Sequence, residues 1–89
     1  MSGAEVLASE GTVALLSGVR VGIGNIWERP FELPDGEERV GITAMLHVED
    51  GDRVVAGPGS ELLVGGARWR VLDVRAGHGR GSVTLAPAR

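Results

Sequence analysis

The longest regular alternation in the chain runs from Arg39 to Val48 and reads RVGITAMLHV. From Val40 onward, Val, Ile, Ala and Leu alternate with Gly, Thr, Met and His. A period of two over this length is typical of a β-strand with one buried face. The run from Val19 to Gly24 has the same period, and no stretch of ten or more residues has the period of a helix. The chain therefore reads as an all-β protein.

Short turn sequences divide the rest of the chain into further strands. Ser17-Gly18, Asp50-Gly51 and Gly65-Gly66 are typical of tight turns between β-prone segments. They predict additional strands at 12–16, 53–56, 61–64, 67–74 and 82–86. We expect six or seven mainly antiparallel strands in a small barrel or a compact β-sandwich.

The chain is long enough for one domain only, over residues 1–89. Residues 1–10 and 87–89 are expected to be frayed tails. The segment Glu28–Glu38 holds two prolines, a glycine and five acidic residues, so we expect an exposed loop there.

Alternation also predicts the core. Its expected members are Val13, Leu15, Val21, Ile23, Ile42, Ala44, Leu46, Leu62, Val64, Trp69, Val71, Val83 and Leu85. In the strand at 67–74, Leu72 and Val74 lie on the opposite parity to Trp69 and Val71. Either both faces of this strand are buried, or a bulge near Val71 switches the register.

Composition narrows the classes of function. The chain has no Cys, and all nine basic residues are Arg, so thiolate, disulfide and lysine chemistry are excluded. The net charge of −3 disfavours nucleic-acid binding. No apolar run approaches the roughly 18 residues of a spanning helix, and the N-terminus lacks the pattern of a signal peptide. We expect a cytoplasmic protein without a nucleic-acid or membrane partner.

No motif predicts a catalytic residue, a metal site or a cofactor. Gly22-Ile23-Gly24 begins like a dinucleotide fingerprint, but the third glycine and the following helix are missing. His47 and His78 have no spacing typical of metal ligands. Gly22 and Gly24 leave one strand face bare, which either receives a large side chain such as Trp69 or forms the floor of a ligand pocket.

Several residues are candidates for contact with a partner or ligand. They are Trp27, Arg29, Phe31, His47, Arg68, Trp69 and Arg70. Arg68 and Arg70 flank Trp69 and project from the opposite face. This basic strip is either a solvated face that balances the acidic segment Glu28–Glu38 or a contact for that segment of a second copy. Unprotected sheet edges, and apolar residues on both parities of 67–74, predict a homodimer or higher oligomer.

Turn and core patterns also give the chain a resemblance. The segments are GVRVG from Gly18 to Gly22, GSELLVGG from Gly59 to Gly66, WRVLDV from Trp69 to Val74 and GSVTL from Gly81 to Leu85. Residues 13–85 resemble small β-rich actinobacterial proteins that are grouped as a domain of unknown function. The hairpin around Trp69 is also similar to that of small-barrel phage head–tail connector proteins. The first resemblance implies a cytoplasmic bacterial protein and supplies no catalytic residues.

The sequence favours a non-catalytic module for protein interaction or self-assembly. One alternative is a small-ligand-binding barrel with simple acid–base catalysis, in which Trp27, Trp69, His47 and an Arg line the mouth. A second alternative is a component of a phage or another particle.

Overall fold

The computed structural model describes residues 5–88, which form eight strands. The strands are β1 (Val6–Ser9), β2 (Val13–Leu16), β3 (Val19–Glu32), β4 (Glu38–Val48), β5 (Arg53–Ala56), β6 (Glu61–Val64), β7 (Ala67–Arg75) and β8 (Ser82–Pro87). The all-β prediction is confirmed, and the count exceeds the expected six or seven. The additional strand is β1, which lies in the segment expected to be a tail. At the other end β8 extends to Pro87, and residues 1–4 and 89 of the expected tails lie outside the described residues.

The strands form two antiparallel sheets of four. Sheet I has the order β1-β8-β7-β6, and sheet II has the order β2-β3-β4-β5. β1 joins sheet I by pairing with β8, where Val6 lies opposite Leu85. Within the described residues the strands thus form two sheets that share one core, which is the sandwich arrangement rather than a single closed sheet.

Two of the three predicted tight turns are confirmed by their backbone conformation. Ser17 and Gly18 have φ values of 52° and 76°, and Gly65 and Gly66 have 58° and 81°. Two successive positive φ angles are the requirement of the two-residue hairpin turn that matches strand twist. These turns connect β2 to β3 and β6 to β7.

The core is built from the inner faces of both sheets. Its buried members are Ala8, Leu16, Val21, Ile23, Ala44, Leu46, Val48, Ala56, Leu62, Val64, Trp69, Val71, Val74, Val83 and Leu85. Trp69 connects the sheets directly, since its indole Nε1–H donates a hydrogen bond to Ser17 Oγ at 3.0 Å.

The expected orientation of β2 is wrong. Val13 and Leu15 are 63% and 65% exposed, whereas Leu16 is fully buried. All four residues of β2 are apolar, so its own alternation cannot identify the inner face. The pairing with β3 sets the orientation, because Val13 lies opposite Gly22 and shares its outward direction.

A bulge in β7 accounts for its mixed parity. Val71 lies opposite Leu85, but Asp73 lies opposite the adjacent Thr84, so β7 contains one extra residue. The bulge returns Val74 to the core and leaves Leu72 41% exposed. It was one of the two alternatives given by the sequence. With Val74 turned inward, β7 no longer supports the argument for an oligomer from two apolar faces.

The segment 28–38 is not the expected loop. β3 continues to Glu32 and β4 begins at Glu38, so Leu33–Glu37 form only the turn between them. β2 pairs with β3 only as far as Gly22, and β5 pairs with β4 only as far as Ala44. Residues 27–43 therefore form a two-stranded extension of the β3–β4 hairpin, which we call the arm.

The arm is fixed to the body of the domain. The ring of Phe31 lies against Gly57 and is also close to Gly41. Ser60 Oγ accepts a hydrogen bond from the Gly57 amide at 3.1 Å and donates one to the Glu32 carbonyl at 3.3 Å. These contacts hold the end of β3 against the β5–β6 connection, and they bury Phe31.

Candidate interaction surface

A bulge in β3 decides which side chains share a surface with the two strand glycines. Gly24 lies opposite Met45, and Trp27 lies opposite Thr43. Between these two pairs β3 has two residues and β4 has one, so β3 contains one extra residue. Asn25 sits in this bulge with a φ of 26°. The extra residue switches the parity of β3 and turns Trp27 to the same side as Gly22 and Gly24.

Glu10 holds the bulge in place. Its carboxylate accepts hydrogen bonds from the backbone amides of Ile26 and Gly81, each at 3.1 Å. The Gly81 amide, and then the Ile26 amide, lower the pKa of the Glu10 carboxyl because both stabilise its charged form. The bulge in sheet II is thus tied to the start of β8 in sheet I.

The surface that results covers the solvent side of sheet II. The pairing register of the strands places its members on the side of sheet II that faces away from the core, and we call this side the outer face. Its members are Val13 and Leu15 of β2, Arg20, Gly22, Gly24, Trp27 and Arg29 of β3, Met45 and His47 of β4 with Glu49 beyond it, and Arg53 and Val55 of β5.

An open depression of about 260 Å³ lies on this face. It is lined by Val13, Arg20, Gly22, His47 and Glu49. A Cβ added at Gly22 would meet only His47, at 3.8 Å. The expectation that Trp69 covers the glycine face is therefore wrong. The missing side chains leave a hollow in the sheet surface.

Apolar side chains stand around the glycines. Val13 lies directly opposite Gly22, and Leu15 lies opposite Arg20 on the next outward position of β2. Trp27 is 53% exposed, and the Arg29 guanidinium lies 5.5 Å from the centre of its ring, a cation–π arrangement. Sheet I also exposes Leu7 and Leu63, but on its two opposite edge strands, and isolated exposed residues are ordinary.

The outer face is more basic than the acidic chain as a whole. Arg20, Arg29 and Arg53 lie on it, and none of them takes part in the four ion pairs found among residues 5–88. Glu49 is the acidic residue of this face. Free guanidinium groups beside apolar side chains make a surface suited to an acidic partner.

The opposite side of the arm is acidic. Glu28, Pro30 and Glu32 of β3 alternate with the outward residues and share this side with Glu38 and Val40 of β4, and all five are exposed. We call it the acidic face of the arm. Val40 is 67% exposed and lies opposite Pro30. Glu32 lies directly opposite Glu38, an unfavourable pairing of like charges.

The candidate residues from the sequence are distributed over three places. Trp27, Arg29 and His47 come together on the outer face, while Phe31 is buried as the anchor of the arm. Trp69 is 6% exposed and belongs to the core.

Arg68 and Arg70 lie on the solvent side of sheet I. Both face Glu61, at 3.7 Å and 2.7 Å. The basic strip is thus already matched by an acidic residue of the neighbouring strand.

Sequence reasoning missed Arg20, Arg53, Val13 and Leu15 as members of a surface. Arg20 shares the parity of Gly22, which was a usable signal. Arg53 follows from the hairpin around Asp50-Gly51, which places it opposite His47. For Val13 and Leu15 the sequence held no such signal, because β2 is apolar throughout.

The described part of the chain holds neither a cluster of metal ligands nor a membrane-spanning helix. Residues 5–88 contain no group of three His, Asp or Glu side chains placed to hold a metal ion. They contain no helix long and apolar enough to cross a membrane.

Comparison with known proteins identified no relative of this chain. A scan of family models, a search of curated proteins and a search of solved structures each gave no match. The resemblance to the actinobacterial proteins and to the phage connectors stays a prediction.

Proposed function

We propose that this protein is a non-catalytic interaction module that binds a protein partner through the outer face of sheet II. The single observation that supports this is the grouping of exposed Val13, Leu15 and Trp27 around the bare backbone of Gly22 and Gly24. Glycine positions on a sheet let another chain approach closely, and the apolar neighbours gain free energy when they leave water.

The charges of this face provide orientation rather than most of the affinity. Arg20 and Arg53 stand at the rim of the apolar and glycine area, where they remain partly hydrated. Exposed ion pairs contribute about 0–1 kcal/mol each, whereas fully burying a Val or Leu side chain contributes about 1.5–3 kcal/mol. The proposed contact is therefore an apolar centre with a basic rim, which selects an acidic partner surface.

Site-specific photo-crosslinking in the source cell tests this function. A photoreactive phenylalanine analogue at Leu15 should give a defined crosslinked protein, because the outer face is occupied. The same analogue at Leu7, which is 71% exposed on sheet I, is the matched control and should give none. Equal crosslinking from both positions, or none from Leu15, would refute the proposed function.

A small ligand in the depression is the second candidate. His47, Arg20 and Glu49 provide an imidazole, a guanidinium and a carboxylate at the edge of the 260 Å³ hollow. The hollow is open, and binding sites for small molecules usually enclose most of the ligand. Native mass spectrometry distinguishes the two, since a retained ligand adds a reproducible mass to each subunit.

A further inference from the structure

We propose that the partner of the outer face is a second copy of this chain, which docks the acidic face of its arm there. The inference rests on the proposed function and adds the identity of the partner. It follows from two surfaces of one molecule that are complementary in charge and that both have an exposed apolar part.

The charges of the two surfaces are largely opposite in sign, with three carboxylates on the arm against three guanidinium groups and the single carboxylate of Glu49 on the outer face. Glu28, Glu32 and Glu38 are exposed, and none of them joins an ion pair within residues 5–88. The outer face presents the three guanidinium groups of Arg20, Arg29 and Arg53, which are equally free. Docking would place cations near the opposed pair Glu32 and Glu38 and relieve a repulsion that the isolated chain retains.

Each of the two surfaces also has an apolar part. Pro30 and Val40 lie opposite each other and form an exposed apolar patch with the carboxylates around it. The outer face offers a hollow above Gly22, with Val13 beside it and with Arg20, His47 and Glu49 in its lining. The apolar patch of the arm can therefore enter a hollow that a single acidic residue borders.

One molecule cannot make this contact with itself. Glu28 and Arg29 are neighbours in β3 and project from opposite sides of the same hairpin, so the two surfaces face away from each other. The contact joins the arm of one copy to the outer face of another. In such a pair, one arm and one outer face stay unoccupied. Such an interface propagates into a closed ring or an open chain rather than a two-fold dimer.

The basic strip of Arg68 and Arg70 is a poorer acceptor for the arm. Glu61 Oε2 already accepts hydrogen bonds from both Nε and Nη2 of Arg70, and Glu61 Oε1 lies 3.7 Å from Arg68 Nε. Docking an acidic arm there would bring further carboxylates toward two guanidinium groups that already share the carboxylate of Glu61. On the outer face, Arg20, Arg29 and Arg53 take part in no ion pair within residues 5–88.

Charge reversal of each surface separately, followed by mixing, tests the inference. One variant is E28R/E32R, which reverses the arm, and the other is R20E/R53E, which reverses the outer face. R75E/R80E is the control, because both positions are exposed and lie on the β7 side of the domain. Each protein is measured by native mass spectrometry and by sedimentation velocity over a concentration series.

The wild type and the control should assemble to the same degree. Each reversed variant alone should lose assembly by at least tenfold in apparent affinity, because like charges then face each other. An equimolar mixture of the two variants should assemble again, since each arm then meets a face of opposite charge. Circular dichroism of every variant checks that the fold is retained.

Other results overturn the inference. A wild type that is monomeric at every concentration excludes a second copy as the partner. Retained assembly in both reversed variants, or a mixture that stays monomeric, excludes the arm-to-face contact. If the chain is monomeric while the analogue at Leu15 still crosslinks to a different protein, the proposed function stands and only the identity of the partner fails.

Discussion

The carboxylate of Glu10 accepts a hydrogen bond from the backbone amide of Ile26 at 3.1 Å, across 16 positions of sequence. Ile26 lies in the bulge of β3, so this bond fixes the extra residue that turns Trp27 outward. A bulge leaves one residue without a ladder partner, and Glu10 supplies an acceptor for it. The shape of the outer face thus depends on a residue from the β1–β2 turn.

Acid should remove the contribution of Glu10 to stability. The amides of Gly81 and Ile26 lower the folded-state pKa of this carboxyl below its ordinary value of 4.5. A lowered folded-state pKa gives stability that is present above 4.5 and is lost as the pH falls through the folded-state pKa. Urea unfolding of wild type and Glu10→Gln is measured from neutral to strongly acidic pH. The difference between their free energies of unfolding should shrink as the pH falls through the folded-state pKa. A difference independent of pH would contradict the assignment, and Glu5→Gln, at an exposed carboxylate outside the strands, is the control.

Substitution of Gly57 should destabilise the domain. A Cβ at this position would lie 2.6 Å from the ring of Phe31, so the ring and the arm must move. Overpacking of this kind costs about 1–3 kcal/mol, and we expect Gly57→Ala to lower the free energy of unfolding by that amount. Chemical denaturation measures the change.

Gly22→Ala is the matched control for Gly57→Ala. Its added Cβ meets His47 at 3.8 Å, which is ordinary van der Waals contact. We expect its free energy of unfolding to stay within about 1 kcal/mol of the wild type, because Ala in a strand is not worse than Gly. Equal effects of the two substitutions would show that Phe31 does not pack on Gly57 as described.

Removal of the Ser17 hydroxyl should weaken the connection between the sheets. Ser17→Ala leaves the indole N–H of the buried Trp69 without its partner at 3.0 Å. Loss of such a bond costs about 1 kcal/mol in thermal or chemical unfolding, with a change in Trp fluorescence. Ser17→Asn keeps an acceptor and tolerates the φ of 52°, so it should lose less stability. If Ser17→Asn and Ser17→Ala lose the same amount, the hydrogen bond does not stabilise the fold.

Much of the sandwich could be predicted from alternation and turn residues. β5 and β6 were predicted with their observed bounds, because glycine-containing turns enclose short apolar runs there. The orientation of β2 was predicted wrongly. Its four residues are all apolar, so their alternation does not show which face is buried. Residues 28–32 of the arm were predicted as part of a loop because acidic residues and Pro30 disfavour strands, yet they continue β3, whose pairing with β4 stabilises them.

The candidate surface was predictable only in part. Gly22, Gly24, Trp27, Arg29 and His47 were recognised one by one. Their common surface depends on the β3 bulge, whose register no local pattern specifies. The bond from Glu10 that holds the bulge joins distant parts of the chain, so it became visible only with the fold.

A dilution series of ¹H–¹⁵N correlation spectra on the wild-type protein shows directly whether the outer face binds the arm of a second copy. Amide signals of Gly22 and Gly24 on the outer face, and of Val40 on the arm, should shift or broaden together as concentration rises. Signals of Thr84, in the middle of sheet I, should stay constant. Spectra that do not change with concentration, or changes centred on sheet I, would contradict the claim that the outer face binds the arm of a second copy.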